Sequence, residues 1–203
     1  MNKPVLHALW LLLAWWSLPL WAQTLPPDVL ARNVTHEVIE IVKRDRDIKS
    51  GNPQRIYALV DEKVLPHFDF RQMTQLAVGR NWAQASPEQQ QRLTDEFRTL
   101  LVRTYASSLA SVADYSIDFK PLRMRPGDTE VTVSTEVTRA GTAPVKIDYR
   151  MQLQSGGWKV YDVLVDNVSL VTTYRNSFNS EVRKGGIDGL IAALARRNRT
   201  AAN

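Results

Sequence analysis

The chain contains no cysteine and only three histidines. The lack of cysteine excludes a disulfide framework and a lipid-modified cysteine at a mature N-terminus. His36 and His67 lie far apart, and no H-x-x-x-H pair or carboxylate cluster has the spacing of metal ligands, so we expect no metal site. There is also no glycine-rich phosphate loop and no G-x-S-x-G elbow, so no cofactor is expected.

The N-terminus has the features of a secretory signal peptide. Lys3 precedes the largely apolar run 5–20, which is at the short end for crossing a bilayer. Ala22 supplies the small residue that a signal peptidase requires before the cut. The sequence therefore predicts a signal peptide at 1–22 and a single α+β domain at 23–203, free in its compartment after cleavage. The alternative is an uncleaved membrane anchor.

Charge gives little indication of a partner. Lys and Arg number 26 against 21 Asp and Glu, a net charge of +5, and the positive residues form no dense run. The most basic stretch, 195–199, lies at the tail, where such residues are usually solvated. Because an exported protein seldom meets nucleic acid, we expect no nucleic-acid partner.

Hydrophobic spacing and capping residues predict helices at both ends of the mature chain. The 3.6-residue period predicts a first helix up to about Asp47. Further starts follow Asn52, Asp69 and Ser86, the last with Gln89 placed for a capping box, and the helix from Ser86 should run to about Leu109. Near the C-terminus, two helices should be separated by the glycine pair at 185–186.

Between these helices the apolar period changes to two. The segments 115–120, 131–137, 145–153 and 158–165 read as four strands, and Gly156-Gly157 predicts a hairpin between the last two. We therefore expect an α+β fold: an antiparallel four-stranded sheet with helices packed on one face, enclosing an apolar cleft. The patterning is equally compatible with an ordinary close-packed core and no cleft.

Asp162 is the one carboxylate that suggests catalysis. Counting by twos from Trp158 and Val160 puts it on their face of the strand, where burial would raise its pKa. A small exported isomerase or hydrolase using Asp162 is therefore one alternative function. A β-bulge near Tyr161 or a pairing with Arg150 would instead turn the carboxylate away, which is the interpretation we favour.

Three stretches resemble one protein family in order and spacing over nearly the whole mature chain. They are the segment VLPHFDFRQM at 64–73 leading to GRNW at 79–82; ASPEQ at 85–89 leading to RTYA at 103–106; and GWKVYDV at 157–163 leading to VSLV and YRNSF at 168–178. Together they resemble the MlaC-type periplasmic phospholipid-binding proteins, also called the toluene-tolerance or ABC-transporter auxiliary family. Members often have glycine where this chain has Asn167, which tolerates the same left-handed turn.

The resemblance implies a function without catalysis. It implies a soluble periplasmic carrier, expected to be monomeric, that shields the acyl chains of a phospholipid in an apolar pocket. It also implies partners: an outer-membrane lipoprotein-porin complex and an inner-membrane ABC transporter, between which the carrier shuttles lipid. An adaptor with a dry core is the remaining alternative.

The candidate site residues combine this resemblance with periodicity. The residues expected to contact lipid are apolar or aromatic and lie on the inward faces of helices and strands: Met73, Leu76, Trp82, Phe97, Leu101, Tyr105, Val137, Tyr149, Met151, Trp158, Val160 and Phe178. Four arginines are candidates for contacting the head group or for docking: Arg80, Arg103, Arg150 and Arg175. Each could also be a plain core or surface residue.

Overall fold

A computed structural model describes residues 24–200, in which helices precede and follow an antiparallel sheet. The helices are α1 Pro27–Arg44, α2 Arg46–Lys49, α3 Pro53–Leu59, α4 Phe70–Val78, α5 Pro87–Tyr105 and α6 Arg175–Thr200. The strands are β1 Ser116–Phe119, β2 Glu130–Thr138, β3 Val145–Gln154, β4 Gly157–Val165 and β5 Val168–Ser169. A π-turn at Val60–Val64 and 3₁₀ turns at Leu65–His67, Gly79–Gln84, Ala106–Asp114 and Thr172–Tyr174 connect these elements.

The helix starts lie where the capping residues predict them. At the start of α5, the Ser86 hydroxyl accepts a hydrogen bond from the Gln89 amide at 3.2 Å, and the Gln89 side chain accepts one from the Ser86 amide at 3.0 Å. This reciprocal capping box satisfies two amides that the helix cannot pair itself. Asn52 and Asp69 cap α3 and α4 through their side-chain oxygens. The three predicted caps are confirmed.

Two helix ends differ from the prediction, and one break agrees with it. The first helix stops at Arg44, because the Asp45 side chain caps the short helix α2. Helix α5 ends at Tyr105 rather than near Leu109, and the chain continues as the 3₁₀ turn. In α6 the two predicted helices are confirmed, since Gly185 and Gly186 are non-helical and Gly186 has φ 65°.

Within residues 24–200 the sheet has five strands, so the prediction of four is wrong. The strands form an antiparallel meander in the order β1-β2-β3-β4-β5. The additional strand follows a tight turn in which Asp166 and Asn167 have φ 48° and 66°, the left-handed pair expected of a two-residue hairpin turn. Because β5 has only two residues, it shows no alternating pattern that a sequence could reveal.

A bulge in β4 decides which side chains face the helices. Met151 pairs with Val160 and Arg150 pairs with Asp162, so Tyr161 is an extra residue in β4. The bulge expected near Tyr161 is therefore confirmed. Beyond it, Val163 pairs with Tyr149 and shares the inner, helix-covered face of the sheet, whereas Asp162 shares the outer face with Arg150.

Three clusters of buried apolar side chains form the core of the described residues. One joins α4, α5 and α6, a second joins α1, α2 and α3 to the turn at 106–114, and the third lies on the inner face of the sheet. No helix between residues 24 and 200 is long and apolar enough to cross a membrane. The predicted signal peptide, 1–22, lies outside the described residues.

Candidate functional site

A cavity of about 410 Å³, here called the large lobe, lies where the three core clusters meet. Its walls come from the π-turn and the segment 65–68 after it, from α4, the end of α5 and the 3₁₀ turn that follows α5, and from β3, β4 and Leu170 just beyond β5. Apart from Ser108, the lining side chains are apolar or aromatic: Val60, Val64, Leu65, Phe68, Phe70, Met73, Leu101, Val102, Tyr105, Ala106, Leu109, Ile147, Tyr149, Val163, Val165 and Leu170. The volume falls in the range of small-molecule sites, roughly 300–1,000 Å³.

A second cavity of about 170 Å³, the small lobe, adjoins the first. Four residues line both lobes: Val64, Phe68, Leu109 and Tyr149. The remaining wall comes from α1, the 3₁₀ turns at Leu65–His67 and Ala106–Asp114, β1 and the bulged part of the sheet. The residues are Leu30, Ala31, Val34, Thr35, Val38, His67, Val112, Ile117, Met151 and Val160. The two lobes therefore form neighbouring apolar spaces separated by only a few side chains.

The segment after α3 brings several lining residues to the lobes. The chain continues from Leu59 as the π-turn Val60–Val64, a rare widening of a helix that often marks a functional site. Val60 lines the large lobe and Val64 lines both. The next residues bring Phe68 beside β4, where it bridges to Val160, and the Asp69 amide donates to the Val160 carbonyl at 2.8 Å. This pairing fixes the segment against the sheet.

The large lobe reaches solvent at the end of α5. Tyr105 is 39% exposed, and Ser108 is also exposed, so these two lining residues mark its rim. Partial burial and the neighbouring Tyr174 raise the pKa of Tyr105 to about 12, although the positive charge of Arg197 acts in the opposite direction. The Tyr105 hydroxyl therefore stays protonated near neutral pH and can donate a hydrogen bond.

Two titratable side chains inside the lobes have pKa values shifted toward their neutral forms. Burial raises the pKa of Tyr149, whose hydroxyl interacts with Thr135. Thr135 in turn donates to the Ile147 carbonyl at 3.0 Å. For His67, burial is the main cause of a lowered pKa, and the charge of Lys159 adds to it. The lobes therefore offer a ligand a mostly uncharged surface.

Six of the predicted lipid-contacting residues line the lobes: Met73, Leu101, Tyr105, Tyr149, Met151 and Val160. The other six line neither lobe. Phe97 is fully buried and packs edge-on against Tyr174 and Phe178, with ring centroids 5.2 Å apart in both pairs. Leu76 and Trp82 belong to the same helical cluster, Trp158 to the sheet cluster, and Val137 lies on β2 between Ile117 and Val145.

The four predicted arginines do not converge on the lobes. Arg175 donates two hydrogen bonds, at 3.1 and 2.7 Å, to the Leu76 carbonyl near the end of α4. Arg103 donates to the Asn198 carbonyl, and Arg80 is exposed on the turn after α4. Arg150 lies on the outer face of the sheet, 3.8 Å from Asp162. Arg175, Arg103 and Arg150 therefore have local partners, and a head-group role for any of the four stays a prediction.

Asp162 also lies on the side of the sheet away from the lobes. It is 1% exposed, and its Oδ1 accepts a hydrogen bond from the Ser169 hydroxyl at 2.8 Å. Its Oδ2 accepts no hydrogen bond from the described residues but lies 3.8 Å from Arg150 Nη1. The sequence-based interpretation that a bulge and Arg150 turn this carboxylate away is confirmed. Asp162 therefore does not face the cavity in which the alternative enzyme would need it.

Several lining residues were missed by the sequence analysis. Ile147, Val163 and Val165 continue the inner face of β3 and β4, so the alternating pattern, corrected for the bulge, could have identified them. Leu30, Val34 and Val38 lie on the predicted apolar face of the first helix. Val60 and Val64 lie on the apolar face of the helix predicted from Asn52, but the structure continues there as the π-turn, so the helical period did not assign them to a cavity.

Comparison with known proteins gives a consistent picture. The model of the family described as MlaC protein matches residues 32–196. The toluene tolerance protein ttg2D of Pseudomonas putida is 26% identical over 189 residues, covering 90% of this chain and 86% of that protein. The intermembrane phospholipid transport system binding protein MlaC of Haemophilus influenzae is 21% identical, covering 83% and 80%.

A solved structure is also similar. It is that of the phospholipid-binding protein from Ralstonia solanacearum in complex with a phospholipid, with a TM-score of 0.80 and 40% sequence identity, covering 87% of this chain and 98% of that one. The family model covers most of the present chain, and the overall folds agree. The chain therefore belongs to the MlaC protein family.

Proposed function

We propose that this protein is a phospholipid carrier that encloses acyl chains in the two lobes and leaves the head group at the solvent-exposed rim. The observation that carries this proposal is the pair of neighbouring apolar spaces between the helices and the inner face of the sheet. The similar Ralstonia solanacearum protein, whose structure contains a phospholipid, supports the same ligand class.

The energetics of an acyl chain explain why a carrier needs no catalytic group. Each buried methylene contributes roughly 0.8 kcal/mol, so two chains of about 15 methylenes each represent on the order of 20 kcal/mol. Transfer of a lipid from a membrane into water costs that free energy unless a protein encloses the acyl chains. Apolar walls such as Leu101, Val163 and Met151 supply this shielding by burial alone.

The route of transport is a further part of the proposal. The carrier is exported by its signal peptide, works as a soluble monomer in the periplasm, and passes phospholipid between an outer-membrane lipoprotein-porin complex and an inner-membrane ABC transporter. Energy input belongs to the transporter. The name of the Haemophilus influenzae relative, an intermembrane phospholipid transport system binding protein, supports this route.

Two adjacent residues of β4 provide a sharp test of the lobes. Val163 lines the large lobe, whereas Leu164 points to the opposite face of the sheet, and both are half-buried. Val163→Arg places a charge in the lobe, where an acyl chain cannot satisfy it. We expect this variant to lose copurifying phospholipid, measured by mass spectrometry of organic extracts, while remaining folded by circular dichroism.

Leu164→Arg is the matched control, because the same side chain is introduced on the same strand outside the lobes. It should copurify with as much phospholipid as the unaltered protein. If Val163→Arg copurified with as much phospholipid as Leu164→Arg, the large lobe would not be the site of the acyl chains.

A further inference from the structure

The rim of the large lobe is the place where a bound lipid would present its polar end. This inference rests on the proposed carrier function, because acyl chains inside the lobe require the glycerol and phosphate to emerge where the wall is exposed. The exposed lining residues there are Tyr105 and Ser108. A phosphodiester at this point carries a negative charge and prefers hydrogen-bond donors and cations.

Three parts of the chain meet beside this rim. Tyr105 closes α5, Tyr174 lies in the turn that precedes α6, and Arg197 lies in the last turns of α6. The Arg197 guanidinium carbon is 5.9 Å from the centroid of the Tyr174 ring. Tyr174 and Arg197 both lie close enough to Tyr105 to shift its pKa, Tyr174 raising it and Arg197 lowering it. A cation and a hydroxyl donor are thereby placed next to the opening of an apolar space.

Buried contacts hold the end of α6 in position. Asn198, next to Arg197, is 5% exposed and donates from Nδ2 to the Glu96 backbone carbonyl at 2.9 Å and to the Glu96 carboxylate at 2.6 Å. The Asn198 backbone carbonyl accepts a hydrogen bond from the Arg103 guanidinium. These bonds attach the last turns of α6 to α5, so Arg197 is presented from a fixed backbone rather than from a loose tail.

Arg197 is also available for an anion. It is exposed, and it forms no ion pair with any carboxylate within residues 24–200. The nearby Glu96 carboxylate is engaged by the Asn198 amide. Arginine presents several donors in a planar fork that matches the oxygens of a phosphate.

We propose that Arg197, together with the hydroxyl of Tyr105, binds the phosphate of the phospholipid head group at the rim of the large lobe. Arg197 supplies charge and two donors, and Tyr105 supplies a neutral hydroxyl donor. The site recognises the phosphodiester, which all diacyl glycerophospholipids share. The rest of the head group remains in solvent.

The test compares two lipids that share acyl chains and differ in the phosphate. Protein stripped of lipid is incubated with vesicles containing either dioleoyl phosphatidylglycerol or dioleoylglycerol, and the bound fraction is titrated by native mass spectrometry. Because a charge-assisted hydrogen bond contributes at least about a tenfold change in affinity, Arg197→Gln should weaken phosphatidylglycerol binding about tenfold. Tyr105→Phe should weaken it several-fold. Neither variant should change the binding of dioleoylglycerol.

Arg199→Gln is the matched control, because it removes an exposed arginine from the same helix end. It should leave the binding of both lipids unchanged. An unchanged preference for phosphatidylglycerol in Arg197→Gln, or an equal loss of both lipids, would overturn the head-group assignment. Failure of the unaltered protein to take up either lipid would instead overturn the carrier function itself.

Competition with inorganic phosphate distinguishes a site for the phospholipid head group from a site for free phosphate. An excess of inorganic phosphate should fail to displace phosphatidylglycerol, since the acyl chains contribute most of the binding free energy. If inorganic phosphate alone bound as tightly as the phospholipid and was lost in Arg197→Gln, the site would be one for free phosphate, and the head-group assignment would be wrong.

Discussion

At the scale of single residues, the carboxylate of Asp162 forms contacts that support the fold. It accepts from Ser169, whose hydroxyl oxygen in turn accepts from the Thr172 amide at 2.9 Å, and Arg150 lies beside it. These contacts connect β4 to the turn that precedes α6. Asp162 therefore helps to hold the connection between the sheet and the last helix.

Substitutions of Asp162 should change stability without changing lipid binding. Asp162→Asn keeps an oxygen for Ser169 and loses only a charge opposite a half-exposed arginine, so we expect a cost under about 1 kcal/mol. Asp162→Ala leaves the Ser169 hydroxyl without its acceptor, which should cost about 1–3 kcal/mol. Urea unfolding measures both, and both variants should retain phospholipid. Loss of lipid from folded Asp162→Asn would contradict this role.

The lowered pKa of His67 should make the free energy of unfolding depend on pH. Its folded-state pKa lies below the unfolded value of about 6.5, so the unfolded chain takes up the proton first as the pH falls. The free energy of unfolding should therefore decrease as the pH falls from about 7 through 6.5 toward the folded-state pKa. Urea unfolding of His67→Gln should show a smaller decrease over this interval than the unaltered protein.

His36→Gln is the control for this measurement, because His36 is exposed on α1. Its stability should follow the same pH profile as that of the unaltered protein. If His67→Gln lost as much stability on acidification as the unaltered protein, burial of His67 would not contribute to the pH dependence.

The sequence did not distinguish side chains that line a lobe from side chains of the closed core. Phe97 and Leu101 are four residues apart on one face of α5, and periodicity treats them alike. In the structure Phe97 packs between two aromatic rings, whereas Leu101 lines the large lobe. The difference depends on what the neighbouring elements bring opposite each side chain, and a single helix does not encode this.

At the scale of elements, local signals predicted most of the fold. Caps such as Ser86 and the glycine pair that divides α6 act within a few residues, so they can be read directly from the chain. The turn at Asp166 and Asn167 was anticipated, but the two-residue strand after it was not. That strand exists because β4 offers it a partner, which is a tertiary effect.

The capping box of α5 gives a prediction at this scale. Ser86→Ala removes the oxygen that accepts from the Gln89 amide, and the loss of such a cap typically costs about 1 kcal/mol. We expect that decrease in the free energy of unfolding, measured by urea denaturation. Ser107→Ala, at an exposed serine beyond the end of α5, should change stability by less than about 0.5 kcal/mol. Equal effects of the two changes would show that the cap does not stabilise α5.

At the scale of the whole molecule, the two lobes arise because the helical clusters and the sheet cluster do not close completely on one another. Composition predicts enough apolar surface for a core but not the spaces left between its parts. The π-turn at Val60–Val64 and the bulge at Tyr161 shape those spaces, and only the bulge was anticipated from the sequence. Periodicity therefore placed six of the twelve candidate residues on the walls of the lobes, whereas the spaces between the clusters have no signature in the sequence.

The central claim is that the apolar lobes hold the acyl chains of a phospholipid. Native mass spectrometry of the purified protein, before and after incubation with phospholipid vesicles, tests it most directly. The account predicts a mass increase equal to a whole number of diacyl phospholipids, which organic extraction then identifies. A mass equal to that of the polypeptide alone, unchanged after incubation with vesicles, would contradict the account and leave the two lobes as empty spaces in the core.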